Sequence, residues 1–575
     1  MISWKVINDG ILYAAEDIWW HVIWLKEFTA ELNEGWLYPR WLAQSNFLYG
    51  SPTFVFYPPG CYYLGALLQK IFALTTMQAT TALSVLANFA CACSLYFSAR
   101  GKRGEIAAVA GALVFMTAPF VVFDIYFRAC IPELCAFTWL PIIMLGVDNL
   151  ERRSWQIWSV AAFFCLALTH VPSLFLYMLA WSTRLLFCAA TANASARDSA
   201  STSTSKSKSK SASLRTLRHG IGVAAVGLSL ASFFLLPVVL ERSLVDITAV
   251  VDMVKLQASL VGAKIYCAHE MMPDIVLTST GEAVLLFLLI AILGLHKKIP
   301  RRALLEPGYW LALNLGTAFL MSALSRQIWL TCQPLQFLQF PTRWMTINCF
   351  ATAVLFVLAV QSLSHSSVKK YLKVLIGLLL FCLFARQAGF DYVVTKYRSG
   401  IDRPTAYIVE NGAMQGRDEY ARFMMPTVVN GSEGFPGSPE YRPLIQSAGQ
   451  PPKAPPTPHH GRPAWSVTEG RATVEVTLWK SFHRILQTDA GEKSIVSIRC
   501  FAYPAWRLSV DGMPVEQKQA ADGSMLVSIP PGRHIIDLSY GDTFAFSTGK
   551  IISAITLVTC LLWLLFCTIF SHSRD

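Results

Sequence analysis

Charge is what this sequence has least of. Asp, Glu, Lys and Arg make up 15% of 575 residues, where a soluble chain carries about 25%. That shortage excludes a disordered chain, a collagen-like fibre and an ordinary soluble enzyme. No Cys-x-x-Cys pair occurs among the 14 cysteines, which removes zinc ribbons and dithiol redox motifs. Nine cysteines fall within apolar runs. The other five, Cys61, Cys130, Cys267, Cys332 and Cys500, show no framework spacing and read as small apolar residues, not as disulfides or metal ligands. Residues 1–16 hold neither a spanning run nor a signal peptide.

Long apolar runs are abundant instead, within a composition that is 54% hydrophobic. A spanning helix needs about 20 mostly apolar residues. Eleven runs approach this: 77–99, 104–123, 132–150, 154–169, 172–190, 217–239, 280–296, 305–324, 343–363, 371–387 and 549–570. Every second connection is basic. Arg100, Lys102 and Arg103 follow the first run, Arg152 and Arg153 the third, Lys297, Lys298, Arg301 and Arg302 the seventh, and Lys369, Lys370 and Lys373 the ninth. The loop around 184–218 carries seven more basic residues. This alternation is the positive-inside pattern. It explains the net charge of +12 without nucleic acid, and it places 1–76, 124–131, 240–279, 325–342 and 388–548 outside. An outward N-terminal segment with no span before it predicts either a short translocated tail or a first helix encoded upstream of Met1; the second is the expectation.

The division that follows is an outer N-terminal segment (1–76), a first bundle (77–190), a low-complexity cytoplasmic loop (191–216), a second bundle (217–387), an outer region (388–548) and a final helix with a cytoplasmic tail (549–575). ANASARDSASTSTSKSKSKSAS, 192–213, buries too little apolar surface to fold and is expected to be a flexible loop. The Pro-rich 430–464 is expected to be a loop, and its adjacent His459 and His460 to be solvated. Beyond it, 471–479, 494–500, 506–512, 524–530 and 534–540 alternate or are β-branched, with turns at Asp511–Gly512 and Pro531–Gly532. These predict a small antiparallel β-sandwich over about 470–548.

Polar residues capable of chemistry cluster on the outer side. EDIWWHVIWLKEFTAEL, 16–32, reads as an interfacial helix with Asp17 and His21 four apart on one face. A second interfacial or re-entrant helix is expected over 54–75. Arg128 and Glu133 share the short loop YFRACIPEL, where ionisable groups are costly unless paired or in a watery cavity. Thr169–His170 tips a helical hairpin, and Gln339 and Arg343 sit at the outer end of a span. Each also has a purely structural reading: a helix cap for Asp17, a mutual pair for Arg128 and Glu133, a capping histidine, an interface anchor for Arg343. Taken together, carboxylates, a histidine and arginines on one face suit transfer from a lipid-phosphate donor. Guanidinium groups hold the phosphate, a carboxylate serves as base, and the lipid tail requires an interfacial site. Composition does not separate this from transport of an anionic solute.

Asp17-x-x-x-His21, GWLYPRW (35–41) and GSPTFVFYPP (50–59) together resemble the bacterial YfhO-like membrane proteins. So do Arg128-Ala-Cys-Ile-Pro-Glu133, against the family's Arg-Gly-x-x-x-Glu, and Gln339-Phe-Pro-Thr-Arg343. Tyr503-Pro-Ala-Trp506, Val510-Asp-Gly512 and Pro531-Gly-Arg-His534 resemble the family's terminal β-domain. These proteins are similar to glycosyltransferases of the GT-C fold, and some carry a label relating them to 6-pyruvoyl-tetrahydropterin synthase, although no pterin chemistry is visible here. The resemblance implies an α-helical polytopic membrane protein, GT-C-like, in the cytoplasmic membrane with an extracytoplasmic β-sandwich. It implies sugar transfer from a polyprenyl-phosphate donor to a cell-envelope glycan or lipid. Asp17 would be the base, helped by His21. Glu133 would orient the acceptor or a divalent cation. Arg40, Arg128, His170, Gln339 and Arg343 would bind substrate. The alternatives are a transporter or flippase, against which no internal repeat is found, and a non-catalytic envelope scaffold.

Overall fold

The computed structural model describes residues 17–198, 204–246, 272–296, 301–364, 437–445 and 463–571, with scattered positions between 373 and 385. The expectations for 1–16, for most of 371–387, for His459–His460 and for Cys267 lie outside the described residues. In chain order, the helices used below are α1 (Ile18–Asn33), α2 (Gly60–Phe72), α3 (Thr76–Arg103), α4 (Glu105–Met116), α5 (Pro119–Phe123), α6 (Ile131–Ala136), α7 (Trp139–Gly146), α8 (Arg153–Ala167), α9 (Val171–Asp198), α10 (Thr204–Leu230), α11 (Ser232–Leu240), α12 (Met272–His296), α13 (Leu305–Met321), α14 (Met345–Ser364) and α15 (Phe544–Ser571).

Seven described helical segments are long and apolar enough to cross a membrane, and the broken pair Ala212–Leu230 and Ser232–Leu240 makes an eighth if counted as one span. They match eight of the eleven runs. Two more runs fold as helices that fall short: α8 has 15 residues and α13 has 17. At 1.5 Å per residue, 15 residues reach only about 22 Å of a hydrocarbon layer about 30 Å thick. The low-complexity segment departs from expectation. Its described parts continue α9 to Asp198 and begin α10 at Thr204. Ala, Lys and Arg are good helix formers, and a flanking apolar span supplies the nucleus that an isolated segment lacks.

The chain forms two compact units. The first comprises 1–18, 77–228 and 251–404. Among its described spans the most enclosed is that of α14, buried without interruption from Met345 to Ala359. Polar contacts join α14 to its neighbours. Asn314 and Asn348 exchange side-chain to backbone hydrogen bonds at 3.1 and 3.0 Å, and Ser279 Oγ lies 3.0 Å from Thr352 Oγ1. Where the surroundings are apolar, such bonds favour a particular helix pairing more than they add energy. At the basic-loop end, Arg184 is bidentate to Asp148 at 2.8 Å and reaches Glu306 at 3.2 Å, while Arg103 also pairs with Glu306.

The second unit comprises 19–76, 229–250 and 405–575. Its sandwich stacks a four-stranded sheet, β1-β4-β8-β7, and a five-stranded sheet, β2-β3-β9-β5-β6. The strands are β1 Trp465–Glu469, β2 Ala472–Trp479, β3 His483–Ala490, β4 Ser494–Phe501, β5 Trp506–Val510, β6 Met513–Pro514, β7 Lys518–Gln519, β8 Ser524–Ile529 and β9 Gly532–Tyr540. Asp511 and Gly512, both at positive φ (52° and 78°), make the two-residue turn that pairs Val510 with Met513. That geometry suits Asp-Gly. β1, β3 and the two-residue β6 and β7 were not anticipated. In β3 the buried positions are Arg484, Leu486, Thr488 and Ala490, so two of four inward residues are polar and the alternation is hidden. Residues 19–76 are part of this unit: Trp41 and Tyr49 lie in one core with Tyr503, Trp506 and Leu538, and Phe501 N donates to Tyr49 O at 2.8 Å.

Candidate functional site

In the first unit the site grows out of an irregular turn. After α5, residues Asp124–Arg128 form a wide π-helical turn closed by Ala129 N–H donating to Asp124 O at 2.6 Å. Such turns re-aim side chains, and they recur at functional sites. Ala129 then adopts left-handed φ of 49°, a conformation that favours glycine. This accounts for the glycine at that place in the Arg-Gly pattern. The turn aims Arg128 inward, and α6 follows at once with Glu133 in its first turn.

Arg128 Nη1 donates to Glu133 Oε2 at 2.7 Å and lies 3.3 Å from Asp124 Oδ1, with Nη2 3.9 Å from Asp17 Oδ2. Asp17 N–H donates to Arg128 O at 2.9 Å. Arg343 Nε lies 3.4 Å from the same Glu133 oxygen, and Arg343 Nη1 donates to Leu338 O at 2.8 Å. The Phe340 ring centroid is 5.9 Å from the Arg128 guanidinium carbon and 5.7 Å from that of Arg343. Three carboxylates therefore face two guanidinium groups. Asp124 and Glu133 are enclosed, while the Asp17 side chain is 38% exposed. Among the described residues, Arg128 Nη2 and Arg343 Nε have no hydrogen-bond acceptor, an arrangement that can receive an anion.

The expected residues of this unit thus converge: Asp17, Arg128, Glu133 and Arg343 form one charge cluster. Gln339 sits beside it in the backbone, half-buried at left-handed φ of 63°. His170 is buried in the tip between α8 and α9, its Nδ1 2.8 Å from Ser173 Oγ. Cys130, Glu133 and His170 each present a ligand-type atom, all within 4.8 Å of one another; these are the residues of this unit that could hold a metal ion. Asp124 was not singled out in the sequence, and Cys130 was read there as a small apolar residue and not as a metal ligand, whereas its thiol lies beside Glu133 and His170. The four-residue spacing of Asp124 and Arg128 was the available signal for the first.

His21 and Arg40 belong to the second unit. His21 is buried, with Nδ1 2.8 Å from the Tyr62 hydroxyl and Trp24 edge-on at 6.1 Å. Arg40 donates to Asp542 Oδ1 at 2.7 Å and Gly541 O at 3.2 Å and stacks 3.7 Å over Phe546. These contacts fasten GWLYPRW to the root of α15. On α1, Glu27 and Glu31 hold the loop at 43–45: Ala43 N–H donates to Glu31 at 2.9 Å, Gln44 N–H and Ser45 Oγ to Glu27 at 3.0 Å. Burial, opposed by these hydrogen bonds, pushes the Glu27 carboxyl up to about 7. Burial, together with the neighbouring Glu27, also raises Glu31 well above the usual carboxylate range.

Fold and site define a polytopic helical membrane protein with a terminal β-sandwich and a buried arginine–carboxylate cluster. The chain belongs to the membrane-protein family described as 6-pyruvoyl-tetrahydropterin synthase related, whose model matches residues 54–389. Among solved structures it is similar to ArnT from Cupriavidus metallidurans. The apo form aligns at 11% identity over 63% of this chain and 74% of that one, with a TM-score of 0.28. The form bound to undecaprenyl phosphate aligns at 11% over 63% and 75%, with a TM-score of 0.27. No curated relative matches the chain.

Proposed function

We propose that this protein is a membrane glycosyltransferase of GT-C type, moving a sugar from a polyprenyl-phosphate donor to a glycan or lipid of the cell envelope on the outer face of the cytoplasmic membrane. The observation that carries the reading is the division of labour among three carboxylates around two arginines. Glu133 receives both guanidinium groups and Asp124 is enclosed. Asp17 alone of the three is substantially exposed while held against Arg128. An acceptor hydroxyl needs a base it can reach, and Asp17 meets that condition. The donor's phosphate leaves as an anion. Arg128 Nη2 and Arg343 Nε have N–H groups to offer it, and water exclusion strengthens such donors. Glu133 fixes the separation of the two arginines and so positions rather than reacts.

The test is transfer of labelled sugar from a polyprenyl-phosphate donor by the protein in lipid nanodiscs, comparing wild type with Asp17→Asn. The reading expects loss of transfer by at least a hundredfold with normal insertion and unfolding temperature. Transfer at the wild-type rate removes Asp17 from the reaction. Donor-independent movement of an anionic solute by the wild type would replace the reading with transport.

A further inference from the structure

We infer that Cys130, Glu133 and His170 form a zinc site, an assignment that goes beyond the proposed reaction and does not depend on it. The three residues come from separate parts of the first unit. Cys130 follows the left-handed Ala129, Glu133 opens α6, and His170 lies in the tip between α8 and α9. All three are buried, with exposures of 3%, 1% and 2%. Their ligand atoms lie within 4.8 Å of one another. Zinc bonds of about 2.0–2.3 Å set tetrahedral ligands about 3.5 Å apart, so side-chain adjustments of up to about an ångström close the triangle.

Donor chemistry selects the metal. A thiolate, an imidazole and one carboxylate suit zinc, whereas magnesium and calcium take sets made of oxygen alone. Three protein ligands leave a fourth position open, as in zinc sites that bind a water or a substrate atom. Ser173 Oγ lies 2.8 Å from His170 Nδ1, a contact that holds the orientation of the ring. Arg128 and Arg343 both hold Glu133, as ligating carboxylates are commonly held.

The experiment uses the full chain in lipid nanodiscs, stripped with chelator, reloaded with zinc or cobalt alone, and analysed by elemental mass spectrometry and absorption. Expected are about one zinc per chain and, with cobalt, a near-ultraviolet sulfur-to-metal charge-transfer band. Cys130→Ser should remove that band, and His170→Ala should weaken zinc retention at least tenfold. Ser173→Ala should weaken it about tenfold by releasing the His170 ring. Cys332→Ser, outside the cluster, should change nothing. Failure of the wild type to retain zinc, a cobalt form lacking the sulfur band, or equal retention by Cys130→Ser and His170→Ala would each overturn the assignment. The wild-type cobalt spectrum decides the matter even where a variant folds poorly.

Discussion

Replacing Arg128 by Met tests whether the buried cluster is held by charge. Arg128 is the only cation within 4.0 Å of Asp124 among the described residues, at 3.3 Å, and both side chains are enclosed, at 3% and 0% exposure. Glu133 keeps Arg343 at 3.4 Å, so the variant strands Asp124 and not Glu133. Removing one partner of a buried pair costs about 3–5 kcal/mol, because the remaining charge has lost its water and gained nothing. Adding Asp124→Asn removes that orphan. What then remains is the lost hydrogen bond to Glu133, about 1–2 kcal/mol. The double variant should therefore be more stable than Arg128→Met by about 2–3 kcal/mol, a coupling well above the non-additivity of unrelated sites. Unfolding in nanodiscs, followed by denaturant or heat at pH 7, measures it. Both variants should lose sugar transfer, so stability and activity separate. Equal stability of the single and double variants would refute the ion-pair account of this turn.

Three further outcomes follow from the same structure. Because Glu27 titrates near 7 when folded and near 4.5 otherwise, the folded state holds its proton more tightly; stability from this group is full below about pH 4.5 and falls by about 3 kcal/mol as pH rises to 7. Glu27→Gln should flatten that stretch of the unfolding profile, and an unchanged slope would refute it. A Cβ at Gly549 would lie 2.4 Å from Ser232 O and 2.9 Å from Phe233 Cα, backbone that cannot yield, so Gly549→Leu should loosen α15 from α11 at a cost of about 1–3 kcal/mol, seen as faster hydrogen exchange at amides 232–240. Ala129→Gly should raise stability by roughly 0.5–1 kcal/mol, since the relief of left-handed strain exceeds the added chain entropy; a lower unfolding midpoint would count against the turn as described.

How far the residues themselves foretold the molecule differs between fold and site. Spans announce themselves because lipid demands runs of about 20 apolar residues whatever the tertiary contacts, and eight of the eleven runs are spanning helices or a broken pair. The β-sandwich was legible where strands alternate or are β-branched, as in the Thr-Val-Glu-Val-Thr run of β2. It was hidden in β3, where Arg484 faces inward against the Trp479 ring, 4.5 Å away. Arg128 and Glu133 were close enough in sequence for their pairing to be weighed. Arg343 joining the same carboxylate was not deducible from spacing, since a partner 210 positions away depends on how α14 packs. The ion pair of Arg40 was hidden for the same reason: its partner is Asp542, 502 residues distant.

By itself, then, the sequence determined that this is a multi-spanning membrane protein with a strand-rich end, because hydropathy and alternation are local properties imposed by lipid and by the pleat. Tertiary structure alone decided which charges neutralise which. It put Asp124 beside Arg128 through a π turn and brought Cys130 to His170. It also built residues 35–51 into the β-core around Trp41 and Trp506. A buried charge is tolerable only with its partner in contact, and contact is a property of the packed chain.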